Sequence, residues 1–181
     1  VSASPEVVGD TLLCEGRRVR LYRREVRYGG KTYVRDVVAF GQGVVIVPVK
    51  SDGRIVFVEQ WRAPLKRWVI ELPAGKLEEG EKPLEAARRE LEEETGYRAG
   101  KWEYVGGFSV APGYSDEVLH FFIASGLEHV GARPELGEVI RVVEMGPGEY
   151  LESVAGGVGD LKTVAGVLLY ISARGRGGSW V

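Results

Sequence analysis

One segment, Gly75–Tyr97 (GKLEEGEKPLEAARRELEEETGY), constrains this 181-residue chain more than any other. It reads as a glycine-flanked turn followed by a single helix. Pro83 suits a first helical turn, where its missing N–H costs nothing, and Gly96 stands where a helix ends in left-handed geometry. At about 100° per residue, Leu84, Ala87 and Leu91 share an apolar stripe. Glu90 and Glu94 lie one turn apart on one flank of that stripe, with Glu93 further round on the same side. Arg88, Glu92 and Glu85 fall on the other flank, where i,i+4 pairs such as Glu85–Arg89 and Arg88–Glu92 account for the charge. Glu90 and Glu94 have no such account. They are like charges beside the core, where they repel and lose hydration, and a hard dication bridging them would remove that penalty. On the helix alone, an acidic solvated face explains the run equally well.

The flanking sequence is rich in strand patterns. Residues 1–10 read as a loose arm, 11–26 as an exposed hairpin turning at Glu15-Gly16, and 32–40 as a strand after the Gly29-Gly30 turn. VVIVPV (44–49) is a nearly continuous apolar run, as in a strand covered on both faces, with Pro48 marking a strand end or edge. RIVFVEQWR (54–62) returns as its antiparallel partner, and WVIELPAG (68–75) leads into the acidic segment. Residues 101–110, 117–125 and 138–145 read as further strands, 146–157 as a short helix. DLKTVAGVLLYISAR (160–174) is a helix with Asp160 as N-cap; its Leu161, Val164, Val167, Leu168 and Ile171 are expected to be core. Strands with few helices favour an α+β fold over a parallel βαβ sheet.

Composition excludes several classes. The net charge of -2 recruits no nucleic acid, and one cysteine, Cys14, permits no internal disulfide, which fits a reducing cytoplasm. No apolar run approaches the roughly 20 residues of a membrane span, and the start lacks a signal-peptide layout. The chain has no Asn, two Gln and one Met, a depletion of thermolabile residues that suits a hot-living source and, equally, a codon bias. His120 and His129 read as structural, and Ser109 and Ser115 lack the His–Asp context of nucleophiles.

Gly75, five residues, Glu81, seven residues, then Arg89-Glu90-Leu91-x-Glu93-Glu94-x-Gly96 resembles the Nudix box, GX5EX7REUXEEXGU, departing only at Tyr97, where an aliphatic residue is usual. This resemblance implies an α/β/α sandwich with a mixed central sheet (residues 44–181), preceded by an N-terminal antiparallel strand region (1–43). It also implies hydrolysis of a nucleoside diphosphate linked to another moiety, with magnesium or manganese as cofactor. Glu90, Glu94 and the Ala74 carbonyl would be metal ligands. Glu93 would bind metal through water or position the attacking water, Arg89 would orient the glutamates, and Glu81 would brace the turn.

The runs ELPAGKLEEGE (71–81), EQWR (59–62) and APGYSDE (111–117) resemble the ADP-ribose pyrophosphatases of that family. They place Arg62 on substrate phosphate, Arg35 at a second substrate-side position, and Pro112 and Gly113 in a substrate loop; a surface ion pair is the competing reading for each arginine. Glu138 fits the family's acidic position before the last strand as ligand or general base, although Leu136 stands where many members carry a second acid. The implied reaction is ADP-ribose to AMP and ribose 5-phosphate. Alternatives are a nucleotide-sugar, dinucleoside polyphosphate or NADH substrate, with Tyr114 resembling the mark of the polyphosphate enzymes, or a non-catalytic ADP-ribose sensor. In relatives the first strands cross to a second subunit, so residues 1–43 are expected to swap in a homodimer.

Overall fold

A computed structural model describes residues 4–131 and 140–175. The chain divides into two compact units, Val1–Gln42 with Phe108–Leu119, and Gly43–Gly107 with His120–Val181.

The first unit holds an antiparallel sheet of β1 (Glu6–Glu15), β2 (Arg20–Tyr28) and β3 (Lys31–Ala39), in that order. The expected hairpin turns are present: Gly16 N–H donates to the Val19 carbonyl, and Gly29 and Gly30 both take positive φ, as a tight hairpin requires. Strand structure starts earlier than the sequence pattern indicates. Glu6 already pairs with Arg27, so residues 6–10 are strand rather than loose arm. The alternation that marks a strand is missing there because both faces of β1 are open, with only Val8 half-buried. A bidentate Arg24–Asp10 pair at 2.8 Å joins β2 to β1.

In the second unit the elements run β4 (Gln42–Val49), β5 (Ile55–Arg62), β6 (Arg67–Glu71), β7 (Ala74–Lys76), α1 (Pro83–Thr95), β8 (Tyr97–Ser109), β9 (Val118–His129), β10 (Ile140–Met145), α2 (Pro147–Val154) and α3 (Leu161–Gly175). The seven-stranded sheet has the order β10-β5-β4-β9-β8, with β6 paired to β5 and β7 to β4. The apolar run 44–49 is buried on both faces, and Pro48 sits one residue from its end. Alternation then assigns the layers. Val44 and Ile46 of β4, with Phe122 and Ala124 of β9, pack against Ala86, Ala87 and Leu91 of α1. Val47 and Phe121 point to the other face, where they meet Gly166 of α3, and Phe57 stacks on Tyr150 of α2 at 4.8 Å. Helices thus cover the sheet on both faces, as the α+β reading expects.

The buried face of α3 differs from expectation. Of the residues expected in the core, Val167 is buried and Val164 half-buried, whereas Leu161, Leu168 and Ile171 are exposed, and the helix buries Thr163, Gly166, Tyr170 and Ala173 in their place. The helix chooses this face because it permits close approach: a Cβ on Gly166 would lie 2.4 Å from Leu72 Cδ1. The Thr163 hydroxyl accepts from the Leu72 N–H, a polar match that an apolar count cannot register. Asp160 caps the helix as expected, accepting from the Thr163 N–H at 3.0 Å.

Candidate active site

The acidic helix begins with Pro83 in its first turn and ends at Gly96, whose φ of 72° is the left-handed cap. Glu85 accepts from the Lys82 N–H at its start, and Glu92 pairs with Arg98 at 2.7 Å. Glu85 and Glu92 therefore serve the helix ends, by local partners other than those that helical spacing suggests.

Arg89 gathers the opposite flank. Its Nε and Nη2 hold the two Glu81 oxygens at 3.0 Å, and its Nη2 also donates to the Lys76 carbonyl. Its Nη1 reaches Glu90 at 2.7 Å and Glu93 at 3.2 Å. One guanidinium thereby ties the turn to both carboxylates. Hydrogen bonding to Glu81, opposed by burial and reinforced by Glu90, holds the Arg89 pKa above its ordinary value; Arg89 in turn lowers that of Glu81, which also accepts from the Glu78 N–H.

The turn strand β7 lies directly against this helix. The Glu90 carboxylate packs on the Gly75 backbone so closely that a Cβ there would be 1.9 Å from Glu90 Oε1. Glu94 is buried, at 5% exposure. Its Oε1 accepts from Gln60 Nε2 at 2.8 Å and its Oε2 from the Ala74 N–H at 3.1 Å. Among the described residues no three acidic, histidine or cysteine side chains converge into a ready metal cage. The donor set, all oxygen and partly shielded from water, nonetheless fits a hard divalent cation held by few protein ligands, because magnesium keeps several of its waters. A depression of about 360 Å³, lined by Arg89, Glu92, Glu93, Arg98, Val130 and Gly131, lies beside the helix on the Glu93 side.

The remaining sequence candidates belong to both units. Arg62 is clamped by Glu71 through Nε at 2.5 Å and Nη2 at 2.8 Å, and Lys162 of α3 adds a second ion pair to Glu71. Arg35 is exposed in the first unit and donates to the Val34 carbonyl. Pro112 and Gly113 are exposed in a turn of that unit, closed by the Tyr114 and Ser115 N–H groups on the Ala111 carbonyl. In the same unit, Asp116 accepts from the Phe40 and Gly41 N–H groups at 2.7 and 3.1 Å, fixing the end of β3. His120 meets the Tyr104 hydroxyl at 3.0 Å, and His129 packs edge-on against Tyr97. Glu138, with Glu135 and Leu136, lies outside the described residues. Sequence reasoning passed over Gln60 and Glu71. Both are polar residues at buried strand positions, and that is the signal that could have found them.

Glu71 supplies a pH test of the fold. Burial pushes its carboxyl up, but Arg62 and Lys162 outweigh burial and hold it below the usual range. A depressed folded pKa stabilises the protein above about pH 4.3, the unfolded value, and that stability is lost as pH falls through the folded value. Glu71→Gln is therefore expected to cost roughly 3 kcal/mol at neutral pH, since it leaves two cations short of a buried partner. Its melting temperature should also fall less steeply than that of the wild type on acidification, as thermal unfolding between pH 3 and 7 will show.

The comparisons with known proteins agree with this geometry. Residues 39–156 match the NUDIX domain model. The chain is 37% identical over 147 residues to an ADP-ribose pyrophosphatase of Bacillus subtilis, covering 80% of each chain. It is also 37% identical over 142 residues to a methanol dehydrogenase activator of Bacillus methanolicus, covering 77% of each. The solved structure of an ADP compounds hydrolase superposes with a TM-score of 0.84 over 99% of both chains at 19% identity, which establishes the shared fold. The sandwich and its acidic helix thus define a hydrolase fold. The chain belongs to the Nudix hydrolase family, whose members generally need divalent metal ions. No helix among the described residues is long and apolar enough to cross a membrane.

Proposed function

We propose that this enzyme hydrolyses the diphosphate bond of ADP-ribose, giving AMP and ribose 5-phosphate, with magnesium or manganese as cofactor. The observation that carries the reading is the seating of Glu90 and Glu94 against the Ala74–Lys76 strand, one on the Gly75 backbone and the other on the Ala74 N–H. Glu90, Glu94 and the Ala74 carbonyl would hold the cation, which would supply charge neutralisation at the diphosphate oxygens and a lowered pKa for water. Glu93, or Glu138, takes the proton of the attacking water. Arg89 keeps Glu90 and Glu93 in place, and because Glu81 saturates the other edge of its guanidinium, its own geometry is fixed. Arg62 keeps Nη1 for a phosphate oxygen while Glu71 holds its other edge. Arg35, Pro112 and Gly113 contribute to substrate binding.

ADP-ribose is favoured by the likeness to the Bacillus subtilis enzyme and by the ELPAGKLEEGE, EQWR and APGYSDE runs. A panel of ADP-ribose, nucleotide-sugars, dinucleoside polyphosphates and NADH with magnesium, scored by product chromatography, should rank ADP-ribose among the best. If another class leads by tenfold in kcat/KM, the substrate assignment falls and the diphosphatase reading stands. Binding without turnover of any member would indicate a sensor.

The homodimer is part of the same reading, with the protein placed in the cytoplasm. Val7, Leu12, Leu13, Tyr28, Tyr33 and Val34 of the first unit are exposed, more apolar surface than a three-stranded sheet needs to show water. Light scattering at micromolar concentration should give about twice the chain mass of 19.8 kDa. A fully active monomer would exclude the swap.

A further inference from the structure

We propose that Lys162 is a positioning residue for Arg62, acting through the buried carboxylate of Glu71 that the two side chains share. The inference rests on the reading of Arg62 as the phosphate contact.

Arg62 and Gln60 stand two residues apart on β5, so both project from the same side of the strand. Gln60 meets Glu94 on that side. Hydrogen bonding to Glu71 holds the Arg62 pKa above its ordinary value, burial opposes it, and the charges of Glu71 and Glu94 add to it. The arginine therefore lies beside the proposed metal ligands. Its partner Glu71 closes β6, just ahead of Ala74 in the chain, and its side chain is 3% exposed.

A bidentate pair sets the plane of a guanidinium only if the carboxylate itself is held. Glu71 takes Arg62 Nε on Oε1 and Nη2 on Oε2, which turns Nη1 to the opposite edge of the planar group. Lys162 Nζ donates to the same Oε2 from α3, and to Asp160 Oδ2 at 2.9 Å. Asp160 is pinned in turn by the Thr163 N–H and hydroxyl, and the Thr163 hydroxyl accepts from the N–H of Leu72, next to Glu71. The contacts thus run from the first turn of α3 through Lys162 and Glu71 to Arg62.

The place of Lys162 on its helix carries the inference. A cation in a first turn faces the positive end of the helix dipole and is disfavoured there. Lys162 occupies that turn of α3, yet its side chain is only 20% exposed and its ammonium is turned inward onto Glu71. A lysine kept for solubility would reach into water. Sharing the carboxylate has a second effect. Glu71 alone would cancel Arg62, whereas a carboxylate divided between two cations leaves part of the Arg62 charge for a phosphate.

Steady-state kinetics with ADP-ribose and magnesium tests the role. Lys162→Met should raise KM about tenfold and leave kcat within about threefold, because a phosphate contact made equally in ground and transition states acts on binding. Lys162→Arg, which restores a charged donor, should bring KM back to within about threefold of the wild type. Since Lys162 acts through Arg62, adding Lys162→Met to Arg62→Met should raise KM by less than about twofold more. A further rise of about tenfold in the double variant would make Lys162 an independent contact and overturn the positioning role. If Lys162→Met lowers the melting temperature but keeps the wild-type KM, while Arg62→Met raises it, the lysine serves the fold alone and Arg62 stays on the phosphate. If Arg62→Met itself has the wild-type KM, the phosphate reading fails and the proposal falls with it. Should Lys162→Met not fold, Lys162→Gln, which is neutral and keeps a donor, decides by the same split.

Discussion

Glu94→Gln is expected to reduce kcat roughly a thousandfold while leaving the fold intact. A carboxylate ligand contributes several kcal/mol of charge stabilisation at a metal site, and each 1.36 kcal/mol is tenfold in rate. The amide has the same shape but one weak acceptor in place of two charged oxygens. Folding tolerates it for a local reason. The Gln60 amide can rotate so that its oxygen accepts from the new NH2, and the remaining oxygen still accepts from the Ala74 N–H. Loss of the charge also relieves its repulsion with Glu90. Turnover of ADP-ribose and thermal unfolding on the same preparation check both halves, and wild-type turnover in this variant would remove the metal-site assignment.

Gly75→Ala should cost about a hundredfold in kcat/KM with little change in melting temperature. The new Cβ would sit 1.9 Å from Glu90 Oε1 and 2.0 Å from its Cδ, so the carboxylate has to leave. What moves is the end of a side chain, which is cheap for the fold. That same end is a proposed ligand, and a displacement of about 1 Å at a reacting centre can cost two orders of magnitude. Glu90 is also tied to Arg89 at 2.7 Å, so its departure should loosen Glu93, which shares that nitrogen. Steady-state kinetics with a melting curve separates this from general destabilisation: a fall of more than about 8 °C would mean the glycine serves the fold.

The legible part of this protein was the part governed by local periodicity. The extent of α1, with Pro83 in its first turn and Gly96 as its cap, and the buried run 44–49 follow from residues a few positions apart, and each is where the pattern places it. Where two patterns competed, the sequence was ambiguous. In α3 the apolar residues at 161, 168 and 171 satisfy helical spacing as well as the buried set does. Close packing on Leu72 at Gly166 and the Thr163–Leu72 hydrogen bond decided against them. In β1 the alternation failed because neither face is covered, so a strand looked like an arm.

The sequence by itself determined which carboxylates share a flank of one helix, because 3.6 residues per turn is a property of the backbone, and the spacing of the box identified the family. Only the tertiary structure decided what each carboxylate meets. Glu94 lies 34 positions from Gln60 and 20 from Ala74, and Glu71 lies 91 from Lys162. Contacts at that separation depend on how strands and helices pack, and no local rule encodes them. The glutamates that looked equivalent along the helix therefore meet different groups in the fold: Glu90 the Arg89 guanidinium, and Glu94 the Gln60 amide and the Ala74 N–H.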